Sequence, residues 1–396
     1  GRFTARDFGQ NYLLSVAPNA IIFTNGDNDT FPLWYNQEVE GVRTDVRVAN
    51  LSYLQMGWYV DQMKRQAYES KALPISLNPA QYSNGKLDVG YILNMIKDSI
   101  TVSDAMTVLT SSDPRYKKLA GYGDDFDFIP TNKLYLPVDK AAAISSGTVQ
   151  AKDSAKIVDN ININLGSKRY LGKHEIVILD MLKNNNWERP IYYAVTVGDD
   201  SYLGMRNYFQ LEGMAYRIVP INQGSRVNTD AMYDNMMNKF KWGGIENPQV
   251  YLDENNLRMT TTFRHMFSRL VSALIAENKK DSALAALDYC MKVIPSTTVP
   301  HSYVSVILAG QYLQLNQKEK AFAILDDLKK NSLQYLNWIA NLKPSMRKSA
   351  MNDLEENLGI YSEVVRIEEK DADKETFEKD YQNLKRFSEI YNSYRR

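Results

Sequence analysis

The run Ala20-Ile21-Ile22-Phe23 leads directly into a polar loop, Thr24-Asn25-Gly26-Asp27-Asn28-Asp29-Thr30, and this junction constrains the fold more than any other stretch of the chain. Consecutive apolar residues bounded by turn formers read as a strand buried on both faces. The spacing predicts a helix from about 31 to 40 and a second strand over 45–51. Strand, loop, helix and strand in that order make a βαβ unit, with parallel strands and a right-handed crossover. A helix is expected ahead of it, because Phe8, Tyr12, Leu13 and Val16 recur at helical spacing before Pro18-Asn19 ends the pattern.

The alternation continues downstream. Helices are expected over 57–70, 88–100 and 173–184, and strands over 133–138 and 161–165. The run Pro190-Ile191-Tyr192-Tyr193-Ala194-Val195-Thr196 reads as the strand of the last βα step of the same sheet. From about Thr261 strand signals vanish, and Leu, Ala and charged residues recur on helical periods. Asp281-Ser282-Ala283-Leu284 and Glu319-Lys320-Ala321-Phe322 lie 38 residues apart, each at the start of the second helix of a pair, and Pro295 falls twelve residues after Ala283. A small residue there lets two helices approach and the proline ends the second; the later copy has Leu333 in the proline's place. The expected architecture is an α/β domain with a mainly parallel sheet over residues 1–255, then an all-α domain of tetratricopeptide-like helix pairs over 256–396. Helices over 344–358 and 375–395 would supply a third pair or a cap, which a helical stack needs.

Composition removes several functions. Lys plus Arg and Asp plus Glu both number 47, so no net field draws the chain to nucleic acid or an anionic membrane surface. His174, His265 and His301 lie far apart, which argues against a histidine zinc site and against Ser-His-Asp catalysis. The single Cys290 sits at helical spacing with Leu284, Leu287 and Met291, the setting of a small core residue. Apolar runs are only a few residues long, whereas a spanning helix takes roughly 20. The opening Gly1-Arg2-Phe3 lacks the charged and apolar regions of a secretory leader and is expected to mark a segment boundary.

The loop 24–30 is the first place to look for a ligand, since parallel sheets present sites where strands end and helices begin. Asp27 and Asp29, with Asn28 and Thr30 beside them, offer oxygens to a divalent cation or to sugar hydroxyls, and Trp34 and Tyr35 offer rings on which a sugar stacks. A second acidic loop, Thr196-Val197-Gly198-Asp199-Asp200, follows the later strand, and parallel strands would bring Asp199 and Asp200 to the same sheet edge. Gly123-Asp124-Asp125 echoes both. Turn and cap chemistry competes with this reading: Asn-Gly and Asp-Asn favour turns, and Asp29 or Thr30 suits an N-cap before Phe31-Pro32. A helix-loop-helix calcium site is excluded because Phe31 and Leu33 stand where oxygen ligands would continue. A dinucleotide site is excluded because the acidic loop lacks the later glycines. Tyr192, Tyr193, Tyr202, Tyr208 and Tyr216 crowd the second loop and are read as core packing ahead of a ligand surface. The mixed charge run from Glu368 to Glu375 is read as a solvated connection or a helix start.

The stretch from Ala17-Pro18-Asn19 through Thr24-Asn25-Gly26-Asp27-Asn28-Asp29-Thr30-Phe31-Pro32-Leu33-Trp34-Tyr35 carries a resemblance, with Asn11-Tyr12-Leu13 before it and Glu38-Val39-Glu40-Gly41 and Arg43-Thr44-Asp45-Val46-Arg47 after it. It resembles the C-terminal soluble region of bacterial multi-spanning membrane proteins of unknown function related to protein O-mannosyltransferases. The resemblance is specific from about Asp7 to Asp61 and looser beyond. It implies a parent with many membrane helices N-terminal to this chain, a lipid-phosphate-linked sugar donor, and a catalytic carboxylate in the membrane half. No catalytic residue transfers to this chain. The implied location is the extracytoplasmic, periplasmic face of the membrane, tethered through that other half.

Three readings stand. The preferred one is a non-catalytic accessory module of a membrane-bound protein glycosyltransferase, with the loop meeting sugar or acceptor and the helix pairs holding polypeptide. The second is a hydrolase using Asp27, Asp29, Asp199 and Asp200 as a carboxylate or metal site. The third is a scaffold in which the loop is turn and cap alone. No resident cofactor is expected beyond a candidate divalent cation, and no nucleic-acid partner.

Overall fold

The computed structural model describes residues 3–83, 85–117, 126–222, 224 and 226–395. The chain divides into two compact units, Ala5–Lys241 and a second made of Trp242–Arg396 with Gly1–Thr4.

In chain order the first unit contains α1 (Thr4–Ser15), β1 (Ile21–Thr24), α2 (Asp27–Glu38), β2 (Arg47–Asn50), α3 (Gly57–Met63), β3 (Val89–Ile92), β4 (Ile100–Thr101) and α4 (Val102–Thr110). There follow β5 (Phe128–Ile129), β6 (Lys133–Pro137), β7 (Asn160–Asn164), β8 (Tyr170–Gly172), α5 (Lys173–Asn185), β9 (Ile191–Ala194), β10 (Phe209–Leu211), β11 (Ala215–Ile218) and β12 (Arg226–Val227). The main sheet has the order β12-β10-β11-β9-β1-β2. At its centre β1 is flanked by parallel partners, with Thr24 opposite Asn50 on β2 and Phe23 opposite Tyr193 on β9. All residues of these three strands are buried, as a parallel core covered on both faces requires. Two small sheets, β5-β3-β8 and β4-β6-β7, complete the unit.

The sequence pattern misplaces three features. β9 does not close a parallel sheet, because β11 and β10 continue it antiparallel. No helix spans 88–100; Val89–Ile92 is a strand with alternating exposed and buried residues. Its Gly90 lies so close to α4 and α5 that a Cβ there would meet Leu109 at 2.8 Å and Ile176 at 3.3 Å. The helix comes afterwards, where the Thr101 hydroxyl accepts from the Asp104 N–H as its N-cap. The helix expected over 57–70 stops at Met63, and a tight turn follows in which Ala67 and Ser70 exchange backbone hydrogen bonds of 3.0 and 2.9 Å.

The second unit is all-helical from Glu254 onward: α6 (Glu254–Ala276), α7 (Lys280–Val293), α8 (Tyr303–Gln314), α9 (Lys318–Ala340), α10 (Met351–Asp371) and α11 (Lys374–Arg395). Each packs on the next or next but one, α6 against α7 and α8, α8 against α9, α9 against α10 and α10 against α11. Ala283 and Ala321 are fully buried near the starts of α7 and α9, where a side chain larger than methyl would force helices apart. Arg264 of α6 is also buried; it donates to the carbonyls of Ile294, Val299 and Pro300 and so pins the α7–α8 connection. The acidic run is not solvated throughout. Glu368 is buried and accepts from Lys329 Nζ at 2.7 Å, which also reaches Asp380 at 3.0 Å. The chain breaks between α10 and α11 inside that run, around Ala372. Cys290 is buried, as its helical neighbours implied. No helix among the described residues is long and apolar enough to cross a membrane.

Candidate functional site at the ends of helix α2

Three parallel strands end together at one edge of the main sheet, and their last residues meet. Thr24 Oγ1, at the end of β1, lies 2.8 Å from Thr30 Oγ1 on α2. Asn50, at the end of β2, donates to the same Thr30 hydroxyl at 2.8 Å and to the Gly26 carbonyl at 3.3 Å, while its own oxygen accepts from the Tyr53 N–H at 2.9 Å. From beyond β9, the Thr196 hydroxyl donates to Asp29 Oδ2 at 2.7 Å, and the Asn25 N–H reaches the same oxygen at 3.1 Å. Tyr12 of α1 donates to Thr196 at 3.4 Å. Burial pushes the Asp29 carboxyl above the ordinary carboxylate range, against the pull of the Thr196 and Asn25 hydrogen bonds.

Helix α2 begins earlier than its apolar residues suggest. Gly26 is the N-cap, at φ +91°, a conformation glycine adopts at little cost. Asp29 therefore lies in the first turn, where its carboxylate satisfies the N–H of Asn25 ahead of the helix. Pro32 sits inside the helix, and α1 passes it so closely that a Cβ on Gly9 would lie 2.4 Å from the Pro32 carbonyl oxygen. Asn36, fully buried, donates to the carbonyls of Pro32 and Arg6, both at 2.7 Å, bridging α2 to α1. Most of the motif from Thr24 to Asn36 is thus required by its own packing.

The other candidates lie as follows. Asp27 and Asn28 are exposed at the start of α2. Tyr35 is exposed and donates to Glu40 at 2.9 Å. Asp199 pairs with Arg206. Asp200 is exposed, and its backbone carbonyl accepts from Lys168 at 3.1 Å. The second acidic loop does reach the same edge, but its contact with Asp29 is made by Thr196. Among the described residues no group of three or more His, Cys, Asp or Glu is gathered as a metal ion would need. Gly123-Asp124-Asp125 lies outside the described residues.

Residues 5–238 match the family model described as TMEM260-associated domain 2. The chain belongs to that family. No curated protein and no solved structure matches it. Membership links the chain to a membrane glycosyltransferase-like protein, and the match covers nearly all of the first unit.

Within this TMEM260-associated domain the tyrosines around β9 are core. Tyr193 packs against Phe23, Tyr202 and Phe209 with ring centroids 5.0 to 5.3 Å apart. The aromatic residues on α2 behave differently. Trp34 is half-buried and nearly parallel to Phe31 at 5.7 Å and to Tyr53 at 6.0 Å, and Tyr53 continues the series to Trp58 at 6.1 Å. The outer rings are open, Phe31 at 45% and Trp58 at 59% exposure. Beside this stack a cleft of about 250 Å³ opens between α2 and α3 over β2, its walls including Trp34, Gln37, Glu38, Gln62, Arg65 and Tyr68. Sequence reasoning did not single out Tyr53, Trp58, Gln62, Arg65 or Tyr68. The aromatic density of Tyr53, Trp58 and Tyr59 just after β2 was the available signal.

Proposed function

We propose that the chain is a non-catalytic binding module of a membrane-bound, O-mannosyltransferase-like protein glycosyltransferase, which holds acceptor polypeptide or sugar near an active site located elsewhere in the parent. The observation that carries this reading is the open aromatic stack from Phe31 to Trp58 beside a polar cleft, on an edge where the buried carboxylate is already engaged. Aromatic faces next to uncommitted polar groups suit carbohydrate and peptide surfaces. A hydrolase would need carboxylates free to face one another; instead Asp29 is held by Thr196 and Asn25, and Asp199 by Arg206.

The second unit supports the partner role. Successive helices α6 to α9 with buried alanines at matching places read as tetratricopeptide-like pairs, which commonly hold a polypeptide on a concave face. On this reading the module lies on the extracytoplasmic face, tethered through membrane spans outside this chain, a location that its link to a membrane glycosyltransferase-like protein supports.

Two assays on the isolated chain test the proposal. Glycosides and phosphate esters should not be turned over. A bound saccharide or acceptor polypeptide should raise the melting temperature, and Phe31→Ala with Trp58→Ala should reduce the shift that polypeptide gives. Turnover that Asp29→Asn abolishes would make the chain an enzyme and overturn the reading.

A further inference from the structure

We propose that the cleft between α2 and α3 is a subsite for one neutral saccharide unit, with the Tyr68 ring as its platform. This rests on the binding-module reading and narrows it to one ligand class and one place.

Size and shape come first. At about 250 Å³ the cleft has room for a single ring, and its floor is apolar, formed by Val46, Val48 and Met63. Concave sites with an apolar floor and a few placed polar groups are the usual form of small-ligand pockets.

Tyr68 is the unusual wall. Its ring is 55% exposed, so burial does not explain the residue, and its backbone is left-handed at φ +52°. That region is uncommon for a bulky side chain. The turn from Ala67 to Ser70 nevertheless fixes it there, the Tyr68 hydroxyl donates to Glu38 on α2, and Gln66 donates to the Tyr68 carbonyl at 2.9 Å. An exposed aromatic ring held against its backbone preference, over a polar cleft, is a ring positioned for a ligand. The C–H face of a sugar matches it.

The polar walls fix the ligand class. Gln62 and Arg65 line the cleft and their side chains have no partner among the described residues. Both amide hydrogens of Gln37 are used, on the carbonyls of Arg43 at 2.9 Å and Val46 at 2.8 Å, which leaves its oxygen to accept. Amide, guanidinium and carboxylate together present donors and acceptors to adjacent hydroxyls. Charge argues against a phosphate. Arg47 also lines the cleft, but its guanidinium is engaged by Ser70 and by the carbonyls of Arg65, Ser70 and Lys71. The lining thus carries two arginines to one carboxylate, but Arg47 has its Nε and Nη2 donors committed, and Glu38, bonded to the Tyr68 hydroxyl, would repel a phosphate set over that ring.

The test is a calorimetric titration of the chain with methyl glycosides of glucose, mannose, galactose and N-acetylglucosamine, and with glucose 6-phosphate. It is repeated on Tyr68→Gly, Gln62→Ala and Trp58→Ala. Glycine accepts the left-handed backbone and Gln62 is exposed, so both variants should fold. The expected result is that at least one neutral glycoside binds, that Tyr68→Gly weakens it by about tenfold or more, that Gln62→Ala weakens it less, and that Trp58→Ala leaves it unchanged. Loss of binding in Trp58→Ala with retention in Tyr68→Gly and Gln62→Ala would move the sugar to the aromatic stack, overturning the cleft proposal but not the module reading. Preference for the sugar phosphate would overturn the ligand class. Binding of a polypeptide but no glycoside would overturn the cleft proposal alone, whereas turnover by the isolated chain would remove the module reading beneath it.

Discussion

At the N-terminal end of α2 the polar side chains face one another, whereas around its C-terminal end they face an open cleft. Thr24, Asp29, Thr30 and Asn50 are all at most 3% exposed and bonded among themselves and their neighbours. Glu38, with Gln62 and Arg65 across from it, lines the cleft instead. Density of polar residues in a motif therefore separates poorly from structural need, because a buried polar group must be paired and so gathers more polar groups around it. The sparser, exposed group is the better candidate for a ligand.

This contrast can be broken in order of expected effect. Asp29→Ala removes the shared acceptor and leaves the Asn25 N–H and Thr196 hydroxyl without it, so denaturant unfolding should show a loss of about 3 kcal/mol, with saccharide binding unchanged in the protein that remains folded. Thr30→Val preserves volume but removes the hydroxyl that Thr24 and Asn50 share, and the same measurement should show a loss of about 2 kcal/mol. Tyr68→Gly should leave stability within about 1 kcal/mol, since relief of the left-handed strain offsets the added freedom of the unfolded chain, while glycoside affinity falls.

The smallest effect at neutral pH is the most discriminating. Burial raises the Asp29 carboxyl above its unfolded value, so the stability linked to its protonation is fully present below the ordinary carboxylate range and is lost as pH rises through the raised folded value. Asp29→Asn keeps an oxygen for Asn25 and Thr196 without the buried charge. It should be slightly more stable than the wild type at neutral pH, and that advantage should vanish on acidification through the same window. An advantage that grew on acidification would reverse the sign and contradict the burial argument.

Much of the fold was legible because its signals are local. Ala20-Ile21-Ile22-Phe23 and Ile191-Tyr192-Tyr193-Ala194 are too apolar to lie anywhere but in the core, and Ala283 and Ala321 mark close helix approaches by their size. Val89-Gly90-Tyr91-Ile92 was read as helix because the reason for its strand is tertiary, the contact of Gly90 with Leu109 and Ile176. The site divides in the same way. Asp29 is visible in sequence, but its partner Thr196 is 167 residues distant, so its engagement is not. The cleft was hidden because 57–70 reads as one helix, while in the structure the helix stops at Met63 and the chain turns to present Tyr68.

The central claim is that α2 carries structure at one end and a ligand site at the other. Titrating one glycoside panel into wild type, Asp29→Asn and Tyr68→Gly side by side tests it most directly. The account predicts that Asp29→Asn binds as the wild type does and that Tyr68→Gly does not. Loss of binding in Asp29→Asn with retention in Tyr68→Gly would contradict it and return the ligand to the loop between β1 and α2.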